Sequence, residues 1–430
     1  MNNRVTILYV DHTARLGGGE IALLNLIRAL DKTRYRPIVV LASEGKLAGE
    51  FERSGIETHI IPLDKSVVER RKDSLGFFSF LQLRQVWRVL SYALRIARFA
   101  RENDVDIIHT NSLKADIYGG IAARIENIPA IWHVRDNITA DYLPRIMVSI
   151  FRLLARMIPD TVVANSQSTL RTVQLPRRAH TAVIYSGAVR VPDRDTVEDS
   201  LDAAGAKWPE EPVIALIGRI SPWKGQHIFI RAAAEVVKAF PRCKFWVIGS
   251  AMFGEQEYDE SIRILAEELS VKDRVEFLGF RADVDVLMPE VDIVVHASTL
   301  GEPFGQVVIE GMASAKPVIA TNGGALPEII VHDESGILVP MGDAMAMSQA
   351  IIRLLSDPVA ARKMGRAGQV RVRGRFTIEH TVASMQSVYE HIIERRGIAG
   401  GRLGRKRVSQ TAAQSGDVSG TRNEDARSTW

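Results

Sequence analysis

Short runs of β-branched and other apolar residues alternate with longer helix-patterned stretches along this chain of 430 residues, and halfway through the alternation starts again. Such a pattern builds parallel sheets from βαβ units, an α/β fold, because parallel neighbours need a crossover helix between them. In the first half the predicted strands are Val5–Val10, Arg36–Leu41, Thr58–Ile61, Ile107–His109, Ala130–His133, Thr161–Ala164 and Ala182–Tyr185. "PVIALIGRI" (Pro212–Ile220) opens the second series, followed by Lys244–Ile248, Arg274–Leu278, Ile293–His296, Pro317–Ala320 and Gly336–Val339. The acidic, proline-punctuated stretch 191–211 reads as a linker. Domains at 1–190 and 212–375 would then enclose a cleft, with ligands expected beyond the carboxyl ends of the strands. A last helix is predicted over 376–396. The tail 397–430 lacks apolar periodicity and is expected to be disordered.

Charge is unevenly spread. Basic residues exceed acidic ones by nine in 1–190 and by five in 395–430, whereas 191–394 carry ten more acidic than basic residues. A basic first half suits an anionic membrane surface or a phosphorylated acceptor. No metal-finger spacing or aromatic–basic RNA signature accompanies it, so no nucleic acid partner is expected. No apolar run reaches the ~18 residues of a membrane span, and no secretory signal is read at the N-terminus. The single cysteine, Cys243, leaves no internal disulfide and no cysteine-rich metal site. These features point to a cytoplasmic protein.

Three stretches carry chemistry. In "DHTARLGGGE" (Asp11–Glu20) a strand gives way to a helix at three glycines, where free N–H groups and absent side chains favour an anion. A simple tight turn would use the same residues. In "IGRISPWKGQ", Arg219 and Lys224 follow a strand's carboxyl end and together match a diphosphate, or stand as solvated loop cations. In "GEPFGQVVIEGMASAKPVIATNGGALPE", Pro303 suits a helix start, leaving the Phe304 and Gly305 amides beside Glu302. Glu310 then falls ~9 Å along the helix. That separation is too wide for two carboxylates acting on one bond, but it suits gripping hydroxyls at both ends of an elongated ligand. Glu328, in the next βα loop, is a candidate third member.

Together these stretches resemble the retaining GT-B glycosyltransferases of the large family 4, over about residues 4–394. The resemblance implies two facing Rossmann-like domains with an interdomain cleft, the second binding a nucleotide sugar and the last helix crossing back to the first. It implies that Arg219 and Lys224 bind the diphosphate and stabilise its leaving charge, that Glu302 binds the donor sugar and that Glu310 binds the ribose. Phe304 and Gly305 would offer amides, and Gly18 and Gly19 would lie against the diphosphate. His133 matches the family histidine near the transferred sugar, and Phe280 and Arg281 would flank the base. Gly311 and Ala315 depart slightly from the family pattern. "HVRD" (His133–Asp136) sets two residues between His and Asp where many relatives have none.

The implied activity is a metal-independent hexosyltransferase with no cofactor. Its donor would be UDP- or GDP-linked and its acceptor a carbohydrate or lipid-linked molecule, as in cell-surface polysaccharide or glycolipid synthesis. Alternatives on the same fold are a sugar phosphorylase, a nucleotide-sugar epimerase or an inactive sugar-nucleotide-binding module. Two helices bear on a membrane. In Phe80–Arg101, Arg84, Arg88, Arg95 and Arg98 oppose Leu83, Val86, Leu90 and Ala97. In "YLPRIMVSIFRLLARMIP", Arg145, Arg152 and Arg156 form a basic stripe on an otherwise apolar helix. Each either packs on the sheet in the ordinary way or attaches peripherally to anionic lipid on the inner face of the cytoplasmic membrane.

Overall fold

The computed structural model describes residues 4–63, 79–192, 207–252, 254–281 and 283–398. Its first sheet holds β1 (Val5–Asp11), β2 (Tyr35–Leu41), β3 (Glu57–Ile60), β4 (Ile107–Thr110), β5 (Ala130–Val134), β6 (Thr161–Ala164) and β7 (Thr181–Val183). The second holds β8 (Val213–Ile217), β9 (Lys244–Ile248), β10 (Val275–Gly279), β11 (Ile293–His296), β12 (Val318–Thr321) and β13 (Ile337–Val339). The expected strands are therefore present, three with the expected bounds and the others displaced at one or both ends by up to three residues. All pairings are parallel. The central strands β1, β4, β5, β11 and β12 are buried throughout, which is why they read as nearly continuous apolar runs, whereas β3, β7 and β10 at the sheet edges are partly exposed.

Strand order is β3-β2-β1-β4-β5-β6-β7 in one sheet and β10-β9-β8-β11-β12-β13 in the other. Each order reverses once, between β1 and β4 and between β8 and β11. At such a reversal the loops beyond the two strands part in opposite directions and open a crevice.

Two connecting segments cross between the sheets. The Ala188 amide donates to Phe376 O at 2.8 Å, and the Ile378 amide returns a bond to Ala188 O at 2.9 Å. Gly187 lies so close here that a Cβ would stand 2.1 Å from the Thr377 carbonyl. The last helix, Ile378–Arg396, then packs on the first domain. It buries Ile378, Val382, Met385, Tyr389 and Ile392 in a core with Leu23, Leu26 and Ile27 of the helix Gly18–Ala29.

The two amphipathic helices differ from either simple expectation. In the helix Ser79–Glu102, Tyr92, Ala93, Ile96 and Ala97 face the core, while Val86, Trp87, Leu90 and Leu94 are exposed, Trp87 to 69%. Leu83 and Arg84 lie among residues whose side chains are outside the described set. In the helix Arg145–Met157, Val148, Phe151 and Ala155 are buried, and Ile146, Ile150, Leu153 and Met157 form an exposed stripe. Arg152 belongs to the structure rather than to a basic surface stripe, since it donates to the carbonyls of Ile138 and Thr172. None of the described helices is long and apolar enough to cross a membrane.

Candidate functional site

Of the residues singled out in the second half, Arg219, Lys224 and Glu302 gather where its strand order reverses. After β8, a short turn at Pro222–Lys224 ends in Gly225, in the left-handed region at φ 74°. A Cβ there would meet Ala297 O at 2.0 Å, so glycine lets this turn press against the end of β11. Lys224 Nζ thereby reaches Glu302 Oε2 at 2.7 Å. The same oxygen accepts from Ser298 Oγ at 3.1 Å and lies 3.0 Å from His296 Nε2. Burial alone would raise the Glu302 pKa, but Lys224 and His296 outweigh it and hold the carboxyl well below the usual range. An ammonium has three donors, so Lys224 can hold Glu302 and still meet a diphosphate oxygen. Arg219, at the head of the same turn, has Nε 3.7 Å from Glu255 Oε2 and its guanidinium beside the Trp223 ring.

Helix geometry around Glu302 departs from expectation. The helix runs Gln306–Ala313, starting three residues after Pro303, with Gly305 as its N-cap at φ 103°. Phe304 is buried and stacked on Tyr185 at 6.1 Å, so it offers backbone rather than ring surface. Proline fits the first turn of a helix, but here it opens the preceding loop. Glu310 lies within this helix, half-buried, and burial followed by the nearby Asp285 charge pushes its pKa up to about 7.

Glu328 does not join this group. Its carboxylate accepts from the Gln167 and Ser168 amides at 2.9 and 2.7 Å and from Tyr185 OH at 3.0 Å. It thus caps the helix Gln167–Val173 of the first domain, where free N–H groups and the helix dipole favour a carboxylate. Beside it, Ser166 and Thr169 donate to Pro303 O, and Asn137 donates to Gly301 O at 2.7 Å. These contacts join the loop bearing Glu302 to the opposite domain. They flank an interdomain cavity of about 230 Å³ lined by Asn137, Tyr142, Trp223, Gly301 and Gly324.

The first domain contributes the glycine loop beyond β1. Gly17 caps the helix Gly18–Ala29, and a Cβ on Gly18 would meet open space. Gly19 abuts Arg135, whose Nε donates to Asn111 at 2.6 Å and Nη1 to Ser186 at 3.0 Å. Asp11 accepts from Asn111, Ser112 and the His12 amide, while burial followed by the Asp11 charge pushes the Glu20 pKa up to about 7. Ligand-type atoms of Asp11, His12 and Glu20 come within 4.8 Å of one another. The Asp11 oxygens are engaged by protein donors.

His133, at the end of β5, is 1% exposed, enclosed by His109 and Arg135 rather than open at the cleft. Phe280 is exposed, with Lys46 of the first domain 5.6 Å over its ring, and Arg281 forms two hydrogen bonds to Asp283. Lys224 and Glu302 are thus in direct contact, whereas Phe280 and Arg281 belong to a separate loop. Sequence reasoning passed over Arg135, visible in "HVRD", and His296, visible at the end of "IVVH". It also passed over Tyr389, whose only signal was its place on the last helix.

Two Rossmann-like sheets facing across a cleft, with polar loops at both strand-order reversals, define a GT-B glycosyltransferase architecture. Residues 198–371 match the sequence model of glycosyl transferases group 1, and residues 16–188 match that of Glycosyltransferase Family 4. The chain belongs to the GT-B glycosyltransferases of this family. It is similar to the D-inositol 3-phosphate glycosyltransferase of Segniliparus rotundus, 36% identical over 197 residues, covering 45% of this chain and 42% of that protein. It thus spans under half of that relative's length. The phosphatidyl-myo-inositol mannosyltransferase of Mycobacterium leprae is 25% identical over 304 residues, 69% of this chain and 76% of that one. HepE of Anabaena, solved in complex with UDP and glucose, aligns with a TM-score of 0.76 at 26% identity, covering 90% of this chain and all of that one.

Proposed function

We propose that the protein is a retaining hexosyltransferase that moves a sugar from a nucleoside diphosphate, UDP or GDP, to a carbohydrate or lipid-linked acceptor. The observation that carries this reading is the Lys224–Glu302 contact at the strand-order reversal of the second sheet. Arg219 and Lys224 would meet the diphosphate and take its developing charge as the nucleotide leaves. Glu302 would orient the donor sugar and Glu310 the ribose hydroxyls, with the Phe304 and Gly305 amides between them. Gly18 and Gly19 would close over the phosphates, His133 would border the transferred sugar, and Phe280 and Arg281 would flank the base. Departure and attack would share one face of the sugar, with the two cations and the helix N-termini doing without a metal. The HepE complexes with UDP and with UDP-glucose support a nucleotide-sugar donor.

The domain division accompanying this reading is 1–190, a linker at 191–211, 212–375, and the returning helix 376–396. Most of that linker and the tail from 399 onward lie outside the described residues. Attachment to an anionic membrane surface, from the cytoplasmic side, is part of the proposal. Its support is the pair of exposed apolar stripes on the helices Ser79–Glu102 and Arg145–Met157. The helix Leu113–Glu126 lies between them, packed against the first and bonded to the second through Arg124. Nucleotide release from UDP- and GDP-sugars, with and without carbohydrate or lipid-linked acceptors, tests the assignment. Release that depends on an acceptor supports it; acceptor-independent turnover, or no turnover of any donor, refutes it.

A further inference from the structure

Beneath the glycine loop runs a buried chain of polar groups drawn from four elements. Tyr9 OH of β1 lies 2.9 Å from Tyr389 OH of the last helix, and Tyr389 OH lies 2.7 Å from His109 Nδ1 of β4. His109 Nε2 lies 3.1 Å from His133 Nδ1 of β5, and Arg135 Nη2 lies 3.3 Å from that same nitrogen. The remaining ring nitrogen, His133 Nε2, is buried without a protein partner among the described residues.

The distances alone admit two directions of donation. In one, each proton points from Tyr9 toward His109, and His109 donates from Nε2 to a bare His133 Nδ1. His133 then carries its proton on Nε2. In the other, every bond reverses, and His133 Nε2 is bare. Arg135 breaks the tie. A guanidinium only donates, so the nitrogen it faces must be unprotonated. Doubly protonated His133 is disfavoured as well, first by burial and then by the adjacent Arg135 charge.

We propose that Arg135 is a positioning residue that selects the first direction, so that His133 keeps its proton on Nε2, the ring nitrogen left unbonded, as a donor that an oxygen of the transferred sugar or of its acceptor would meet when the enclosed ring is uncovered. The histidine thus acts as a fixed hydrogen-bond donor, not as a base that removes the acceptor's proton. This rests on the proposed placing of His133 beside that sugar.

The test uses the full chain labelled with 15N-histidine, without substrate, and reads tautomers from long-range 1H–15N correlations. His109→Gln and His133→Gln assign the resonances. Wild type and Arg135→Lys should show His133 protonated on Nε2 and bare at Nδ1. Arg135→Met should remove the constraint, so that a His133 form protonated on Nδ1 appears. A wild-type His133 protonated on Nδ1 overturns the proposal even if Arg135→Met does not fold. So does an unchanged tautomer in a folded Arg135→Met. Undiminished transfer by His133→Gln overturns the placing beside the sugar and leaves the tautomer result separately readable.

Discussion

Lys224 Nζ sits 2.7 Å from Glu302 Oε2, so the ammonium proposed to meet a diphosphate already holds the carboxylate proposed to meet the sugar. Because the two act as a unit, Lys224→Ala and Glu302→Ala should each lower kcat/KM by about 100- to 1,000-fold, some 3–4 kcal/mol. The double variant should be little worse than either single one, and steady-state kinetics on the three variants checks this non-additivity. The folded pKa of Glu302 lies below its ordinary value of 4.5. Its contribution to stability is therefore present above that pH and lost as the solution is acidified. Acid melting curves for wild type and Glu302→Gln should converge at low pH.

Glu310 has the opposite sign. With its pKa pushed up to about 7 against an ordinary 4.5, the folded protein holds a proton there that the unfolded chain releases. Its effect on stability should become unfavourable as pH rises from 4.5 to 7. Glu310→Gln should therefore melt higher than wild type at pH 8 and match it near pH 4. The same change should weaken nucleoside diphosphate binding by at least about tenfold, ~1.4 kcal/mol, if Glu310 grips the ribose. Calorimetry on one pair of proteins reads both effects.

Removing the Glu328 carboxylate should loosen the contact between the domains. Glu328→Ala deprives the helix Gln167–Val173 of an N-terminal acceptor, which should cost about 1 kcal/mol. Tyr185 also loses its partner. Small-angle scattering should report a broader distribution of shapes, and KM for the donor should rise more than kcat falls. An effect on kcat as large as that of Glu302→Ala would contradict this assignment.

Flotation with anionic and neutral vesicles checks the exposed stripes. Leu94→Asp and Leu153→Asp place charges on surface that is already exposed, at 56% and 55%, so they should leave melting within about 0.5 kcal/mol of wild type. They should nevertheless reduce recovery with anionic vesicles. Equal, negligible recovery of wild type with both vesicle types would remove the membrane partner from the proposal.

Fold and chemistry were not equally legible. Strand alternation and its restart at Pro212 announced two parallel sheets, because buried parallel strands leave short apolar runs that helices must separate. The sequence placed Lys224 and Glu302 only in loops facing a common cleft; their direct contact needed the adjacency of β8 and β11, which strand runs alone do not give. The place of Glu328, offered only as a candidate third member, could not be read because its partners, the Gln167 and Ser168 amides, lie about 160 positions away and carry no side-chain signature. Val86 and Leu90 were read as one face with Ala97, either packed on the sheet or turned to lipid, but they are exposed while Ala97 is buried, and a helical wheel cannot say which of two apolar arcs meets the sheet. The environment of His133 was equally hidden, since it needs Tyr389, 256 positions downstream, to be complete.

The crossing of the chain beside Gly187 and Thr377 limits how such an enzyme can be rearranged. The first domain is finished only by Ile378–Arg396, the last helix described, and Tyr389 from that helix reaches its interior. A single junction placed in the linker would graft a foreign second half but also discard the native helix that fills the first. A chimera meant to change donor while keeping acceptor therefore needs two junctions, one on each side of residues 212–375. Recombination that respects only one of them should yield a hybrid with an open seam in its first core, whatever the quality of its nucleotide site.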